Sequence, residues 1–100
     1  MIKGWYDMEK GVEVKAGAYN NEVAVRYDGL LKKSGADRVF IHYGGGSPTH
    51  WNSIATQEMD CTTRGFEKTM RVSETQAHIC FKDSADHWDN NSGHNWTIRQ

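Results

Sequence analysis

Aromatic and amide side chains concentrate in two segments that otherwise have the composition of turns. HWDNNSGHNW, residues 87–96, carries Trp88 among Asn, Asp, Ser and Gly, residue types that favour exposed turns. GGGSPTHWNS, residues 44–53, places Trp51 after three glycines and a proline. A single loop tryptophan either caps one end of a hydrophobic core or presents an exposed aromatic surface. A second one favours the exposed surface.

These side chains have the chemistry of a site for a neutral sugar. One face of a glucose ring is a patch of C–H groups that loses water favourably against an indole. The ring edge carries hydroxyls, each both donor and acceptor, and imidazole and amide groups match both roles. The groups of this kind beside the two tryptophans are His50, Asn52, His87, Asn90 and Asn91.

Composition excludes several classes of partner. The 100 residues fit one domain, and 12 Lys plus Arg against 13 Asp plus Glu give a formal charge of −1. Because no net positive charge attracts phosphates or anionic lipid, neither a nucleic acid nor a membrane is predicted as a partner.

The start, MIKGWYDMEK, lacks the apolar core of a signal peptide. We therefore expect a cytoplasmic location if Met1 is the native start, and an extracellular one if the chain is excised from a secreted amylase-type protein.

Short alternating runs predict the elements that position these groups. The runs are GVEVKAG, EVAVRYDG, RVFIHYG, GFEKTMRV, AHICFKD and WTIR, with a further strand from Ile54 to Cys61. Their spacing predicts an all-β fold, an antiparallel immunoglobulin-like sandwich of about 7–8 strands. It forms a single domain over residues 1–100, in which residues 1–10 lack a clear period and form an irregular N-terminal extension. GLLKKSGA, residues 29–36, is predicted as a loop with one helical turn.

Alternation also sets where the candidate side chains point. His42 alternates with the apolar residues of RVFIHYG and faces away from the core. HWDNNSGHNW becomes a hairpin connection in which Asn91, Ser92 and Gly93 supply unusual backbone angles. His78 is predicted to be a solvated strand residue. The glycine run, residues 44–46, lacks the Lys-Ser/Thr of a phosphate-binding loop and predicts a mobile or tightly turning loop.

Five pieces of the sequence together resemble a known family. HYGGG, Trp51, GFEKTMRV, FKD and WDNNSGHNW resemble the starch-binding carbohydrate-binding modules of family 25 and close relatives. The resemblance runs from about Val23 to Arg99, and its most specific part is the order HYG…W…WDNN-x-G-x-N-aromatic. It implies a β-sandwich that binds α-1,4-glucan, such as starch, glycogen or malto-oligosaccharide, without catalysis. It also implies association with a glucan-processing enzyme.

The resemblance carries roles to particular residues. His42 takes the role of the hydrogen-bonding histidine, and Trp51 and Trp88 take the roles of the stacking tryptophans. Asn90 and Asn91 match amides that bond sugar hydroxyls. Where the family often has Asn and Gly before WDNN, this chain has KDSADH, which predicts a more acidic rim.

Metal sites and catalysis find no support in the motifs. No pair among five histidines has the spacing of a zinc motif, and neither cysteine belongs to a C-x-x-C. We expect no metal and no other cofactor, and we expect Cys61 and Cys80 to be free thiols. A glycosidase needs two carboxylates facing each other across a deep cleft, and no Ser-His-Asp or Cys-His order stands out. The chain is therefore predicted not to be an enzyme and to have no catalytic residue.

Two other binding functions use aromatic surfaces. A single-strand nucleic-acid binder needs a basic groove, and the only local basic pair is Lys32 and Lys33, distant in sequence from both tryptophans. A protein-interaction module on the same scaffold would use the same aromatic loops against another protein. This second function is the alternative to glucan binding.

Overall fold

The alternating runs form strands in a computed structural model, which describes residues 2–100. Within these residues, ten strands and one helical turn follow one another. They are β1 (Trp5–Asp7), β2 (Val12–Ala16), β3 (Glu22–Tyr27), α1 (Leu30–Lys33), β4 (Val39–Ser47), β5 (His50–Glu58), β6 (Asp60–Thr62), β7 (Gly65–Arg71), β8 (Gln76–Asp83), β9 (Trp88–Asp89) and β10 (Trp96–Arg99).

The strands make two antiparallel sheets, which confirms the predicted all-β sandwich. One sheet has the order β1-β2-β3-β7-β6, and the other has the order β10-β8-β4-β5 with β9 paired to β8. We call the second one the β4 sheet. The strands beyond the expected 7–8 are short pieces, of which β9 has two residues and β1 and β6 have three each.

The core lies between the two sheets and consists of the residues that alternation places inward. They include Val12, Val14, Val23, Val25, Tyr27, Val39, Ile41, Phe66, Met70, Ala77, Ile79, Phe81, Trp96 and Ile98, all of them buried. The Tyr27 ring from one sheet stacks on Phe81 of the other, with ring centroids 4.2 Å apart. The face of the β4 sheet that points away from this core, its outer face, carries His42.

Residues 2–10 are part of the sandwich, so the prediction of an irregular extension is wrong for them. β1 pairs with β2, and Lys3 bridges to Arg99 on β10. The Trp5 indole N–H donates to the Thr97 carbonyl at 3.1 Å, and the Trp96 indole N–H donates to Asp7 at 3.0 Å. A strand of three residues is too short to show a period of two, which is why alternation missed it.

The predicted strand from Ile54 to Cys61 is confirmed as extended chain but not as one strand, because the chain changes sheet inside it. β5 ends at Glu58, and the buried Met59 connects it to β6, which pairs with β7 in the other sheet. The Met59 N–H donates to the Val39 carbonyl at 2.8 Å. From Glu58 to Cys61 polar and apolar residues alternate through this crossing, and periodicity alone does not reveal to which sheet a strand belongs.

Two smaller expectations have clear outcomes. α1 is a single turn, as predicted for GLLKKSGA. Cys61 is an exposed free thiol and Cys80 a buried one, as expected. Within residues 2–100, no helix has the length and apolar character needed to cross a membrane.

Candidate functional site

The glycine run is strand, not loop, and it makes room for Trp51. β4 continues through Gly44, Gly45 and Gly46, and these residues pair with β8 or β5 or both. A Cβ on Gly44 would lie 3.2 Å from Cε3 of Trp51, closer than ordinary packing allows. The predicted mobile or turning loop is therefore wrong here, because glycine lets the indole lie against the strand next to it.

A β-bulge in β5 sets the direction of Trp51. Between the pairs Tyr43–Ala55 and Gly45–Asn52, β5 contains one residue more than β4. Ser53, inside this interval, has a φ of 49°, in the left-handed region that a bulge can use. The extra residue brings Trp51 to the outer face of the β4 sheet, the side to which His42 points.

Trp88 lies on the same outer face and does not cap the core. It is the first residue of β9 and pairs with Lys82 on β8. Its side chain is 45% exposed, and the Lys82 ammonium lies 5.3 Å from the centre of its ring, within reach of a cation–π interaction. The exposed indole is thus available to a ligand.

The structure brings the three predicted aromatic residues together. The His42 ring lies close to both indoles, 5.9 Å from the Trp51 centroid and 5.3 Å from the Trp88 centroid. Trp51 is inclined to the imidazole by 28° and Trp88 by 85°. The two indoles are therefore steeply inclined to each other, and together with His42 they form a bent aromatic surface, which we call the aromatic platform.

The surroundings of His42 favour its neutral form. Its Nδ1 lies 2.7 Å from the Thr56 hydroxyl on β5. Burial, and then the positive charge of Lys82, lower the pKa of His42 below its ordinary value. A neutral imidazole has one donor and one acceptor nitrogen, which is the pairing that a sugar hydroxyl offers.

His78 supports the platform from beneath, and the prediction of a solvated residue is wrong. Its ring is 1% exposed and lies 5.6 Å from the Trp51 ring centroid. Its Nε2 lies 2.8 Å from the Gly46 carbonyl, and its Nδ1 lies 3.1 Å from the Thr97 hydroxyl. Alternation placed it correctly on the outer face, but Trp51 packs over it and excludes solvent.

Three further residues of the site were missed. Thr56 positions His42, Lys82 lies over Trp88, and Ile54 lies beside Gly44 near Trp51 with its side chain exposed. Thr56 and Lys82 are outward positions of strands neighbouring His42. A register for β4, β5 and β8 would have located them, but sequence alternation supplies no register.

Asn90 and Asn91 lie in the turn that follows Trp88, where both side chains bond within the turn. The Asn90 Oδ1 accepts the Gly93 N–H at 3.0 Å, and the Asn91 Nδ2 donates to the Asn95 carbonyl at 3.0 Å. Asn91, Ser92 and Gly93 have φ values of 57°, 55° and 91°, as the turn prediction requires. A bond from Asn90 or Asn91 to a sugar stays a prediction.

The aspartates near Trp88 have partners inside the chain. Asp83 accepts hydrogen bonds from the backbone and ring of His87, which lower the pKa of its carboxyl. Asp86 pairs with Lys82. Asp89 is 8% exposed and accepts the Tyr27 hydroxyl at 2.6 Å. These contacts give each of the three carboxylates a partner within the chain.

Metal binding has no structural support in the described chain. Across residues 2–100, no three His, Cys, Asp or Glu side chains gather closely enough to hold a metal ion.

No family model, curated protein or solved structure matches the chain.

Proposed function

We propose that this chain is a noncatalytic α-glucan-binding module whose ligand stacks on Trp51 and Trp88 and bonds to His42. The observation that supports it best is the aromatic platform itself. The His42 ring on β4 lies within 6 Å of the Trp51 ring on β5 and within 6 Å of the Trp88 ring on β9, on one open face. Stacking of C–H faces on indoles, with an imidazole between them, is suited to a neutral sugar.

The bend of the platform favours α-linked over β-linked glucose. A β-1,4-glucan is a flat ribbon whose successive ring faces are nearly parallel, and it stacks best on coplanar aromatic rings. An α-1,4-glucan is helical, and its neighbouring rings are inclined to each other. Because Trp51 and Trp88 are steeply inclined, they match neighbouring rings of the curved chain.

The open geometry sets the expected affinity. The platform is open, Trp88 is about half exposed, and a neutral sugar contributes no strong charge pair. We expect a Kd of roughly 10⁻⁵ to 10⁻³ M for a malto-oligosaccharide. Binding should depend little on salt, whereas a phosphate-bearing ligand would lose affinity as salt rises.

An NMR titration of the tryptophan indole signals tests the proposal. Maltoheptaose should shift the signals of Trp51 and Trp88, and cellohexaose should shift neither. Trp51→Ala and Trp88→Ala should each weaken maltoheptaose binding by about tenfold or more, as loss of a central aromatic contact does. Tyr19→Ala, at an exposed aromatic residue in the β2–β3 turn, is the matched control and should bind normally.

The alternative is a protein-interaction module that uses the same surface. The exposed Ile54 beside Trp51 extends the platform with aliphatic area, and protein interfaces are rich in aromatic residues. If neither oligosaccharide shifts the indole signals, the glucan proposal fails. A protein partner whose binding is lost in both Trp51→Ala and Trp88→Ala would then establish the alternative.

A further inference from the structure

A cleft borders Trp88 on the side of α1. It has a volume of about 530 Å³ and lies between α1 with the turn after it and the segment that leads into β9. Its apolar walls are Leu30, Leu31, Ala36, Ala85 and Trp88. We call it the α1 cleft.

The α1 cleft adjoins a second, more polar cavity. That cavity has a volume of about 420 Å³, and its lining includes Lys10, Lys33, Asn90 and Ser92. Leu30 and Trp88 line both cavities. Each cavity is within the size range of small-molecule sites.

Leu30 is exposed to a degree that the fold does not require. Its side chain is 60% exposed, while the neighbouring Leu31 is buried in the core. Trp88 and Leu30 are both large exposed apolar residues, and they border the same two cavities. Apolar walls with Ser34, Ser84 and Asp37 at the same cleft match the C–H faces and hydroxyls of a sugar.

We propose that the α1 cleft is a second subsite of the glucan site, which takes further glucose residues of the chain that stacks on the platform. The inference rests on the proposed function. Its basis is that Trp88 belongs to both the platform and the cleft, so a glucan passing this indole enters the cleft without leaving the protein. Asn90, in the adjoining cavity, then lies beside the extended chain. The module accordingly prefers long glucans to short ones.

Comparison of two sugar lengths in Leu30→Ala tests this subsite. Maltotriose is short enough to be held by the platform alone, whereas maltoheptaose reaches the cleft. Leu30→Ala should weaken maltoheptaose binding by about three- to tenfold, because apolar contact is lost, and should leave maltotriose binding unchanged. Alanine keeps the helical turn intact, and Tyr19→Ala is again the control.

Methyl NMR signals provide a second readout in the unaltered protein. Those of Leu30 and Ala36 should shift with maltoheptaose and stay fixed with maltotriose. If maltoheptaose shifts the Trp51 indole but not these methyl signals, or if Leu30→Ala affects both sugars alike, the subsite is refuted and the proposed function stands. If neither sugar shifts Trp51, both proposals fail.

Discussion

Trp51 and Trp88 belong to one surface, but two different parts of the fold hold them. Trp51 lies on a strand of a continuous hairpin, packs over Gly44 and His78, and donates its indole N–H to the Pro48 carbonyl at 3.1 Å. Trp88 lies on a two-residue strand in a connection that contains several left-handed residues.

The connection that carries Trp88 is anchored to the core by one buried carboxylate. Asp89 accepts the Tyr27 hydroxyl, and the same hydroxyl accepts the Leu31 N–H at 3.0 Å. One phenol therefore joins β3, α1 and the residue next to Trp88. Segments with few packing contacts open more readily than paired strands, so the Trp88 region depends on local bonds, whereas the Trp51 region depends on the sheet.

Replacement of Asp89 should have the largest effect, because it removes the bond that anchors the Trp88 region and leaves the Trp51 region unchanged. Asp89→Ala removes the acceptor of the buried Tyr27 hydroxyl and should lower the free energy of unfolding by about 2–4 kcal/mol. Urea denaturation measures the loss. In the folded variant the Trp88 indole NMR signal should shift or broaden, while that of Trp51 should stay in place.

The matched control for this change is Asp37→Ala, at an exposed aspartate. It should change the free energy of unfolding by no more than about 0.5 kcal/mol. Equal losses in the two variants would contradict the anchoring role of Asp89.

Glycine substitutions should sharpen the comparison, because the two regions need glycine for different reasons. A Cβ on Gly44 would lie 3.0 Å from the Asn52 carbonyl oxygen and 3.2 Å from Trp51, so Gly44→Ala should cost about 1–2 kcal/mol and displace the Trp51 ring. Gly93 has a φ of 91° and open space around it. Gly93→Ala should cost about 1 kcal/mol through backbone strain alone.

Denaturation and maltoheptaose titration together distinguish these two costs. Gly44→Ala should reduce both the free energy of unfolding and the affinity for maltoheptaose. Gly93→Ala should reduce the free energy of unfolding, but the Trp51 indole signal of the ligand-free variant should stay where it is in the unaltered protein. Unchanged affinity in Gly44→Ala would show that the close packing of Trp51 on β4 does not matter for binding.

The smallest effect concerns His42, which joins the two regions. Its lowered pKa means that the unfolded chain binds the proton more readily, so the contribution of His42 to stability falls as the pH is lowered through the ordinary histidine range. Lys82→Met removes the second cause of the lowering, and the pKa of His42 should rise while remaining depressed by burial. An NMR pH titration of the His42 ring measures this change, and an unaltered pKa would show that Lys82 has no influence on it.

The fold followed from the sequence wherever a strand was long enough to show its period. β2, β3, β4, β7, β8 and β10 all have their apolar residues at the predicted core positions. β1, β6 and β9 have two or three residues each, fewer than a period of two needs to become visible. What these short strands pair with depends on tertiary contacts.

Residue types identified the central residues of the candidate site, but they did not identify the residues that support them. His42, Trp51 and Trp88 were recognised by chemistry and motif, and the structure brings their rings together. Alternation places His78 on the outer face of its strand, as it would a solvated histidine. Its burial could not be predicted, because it comes from a tryptophan 27 positions away in the chain. The extent of β4 was missed because a run of glycines normally interrupts a strand.

The bulge in β5 determines which residues of that strand share the outer face of the sheet. His42 pairs with Thr56, and Gly46 pairs with Trp51, so one extra residue keeps an odd and an even position of β5 on the same side. Loss of the one extra residue near Ser53 would leave a regular ladder in which Trp51 still lies opposite Gly46 and keeps its direction, whereas loss of two residues would turn the indole toward the opposite side of the sheet. Natural or engineered variants of this hairpin should therefore tolerate loss of one residue at the bulge far better than loss of two.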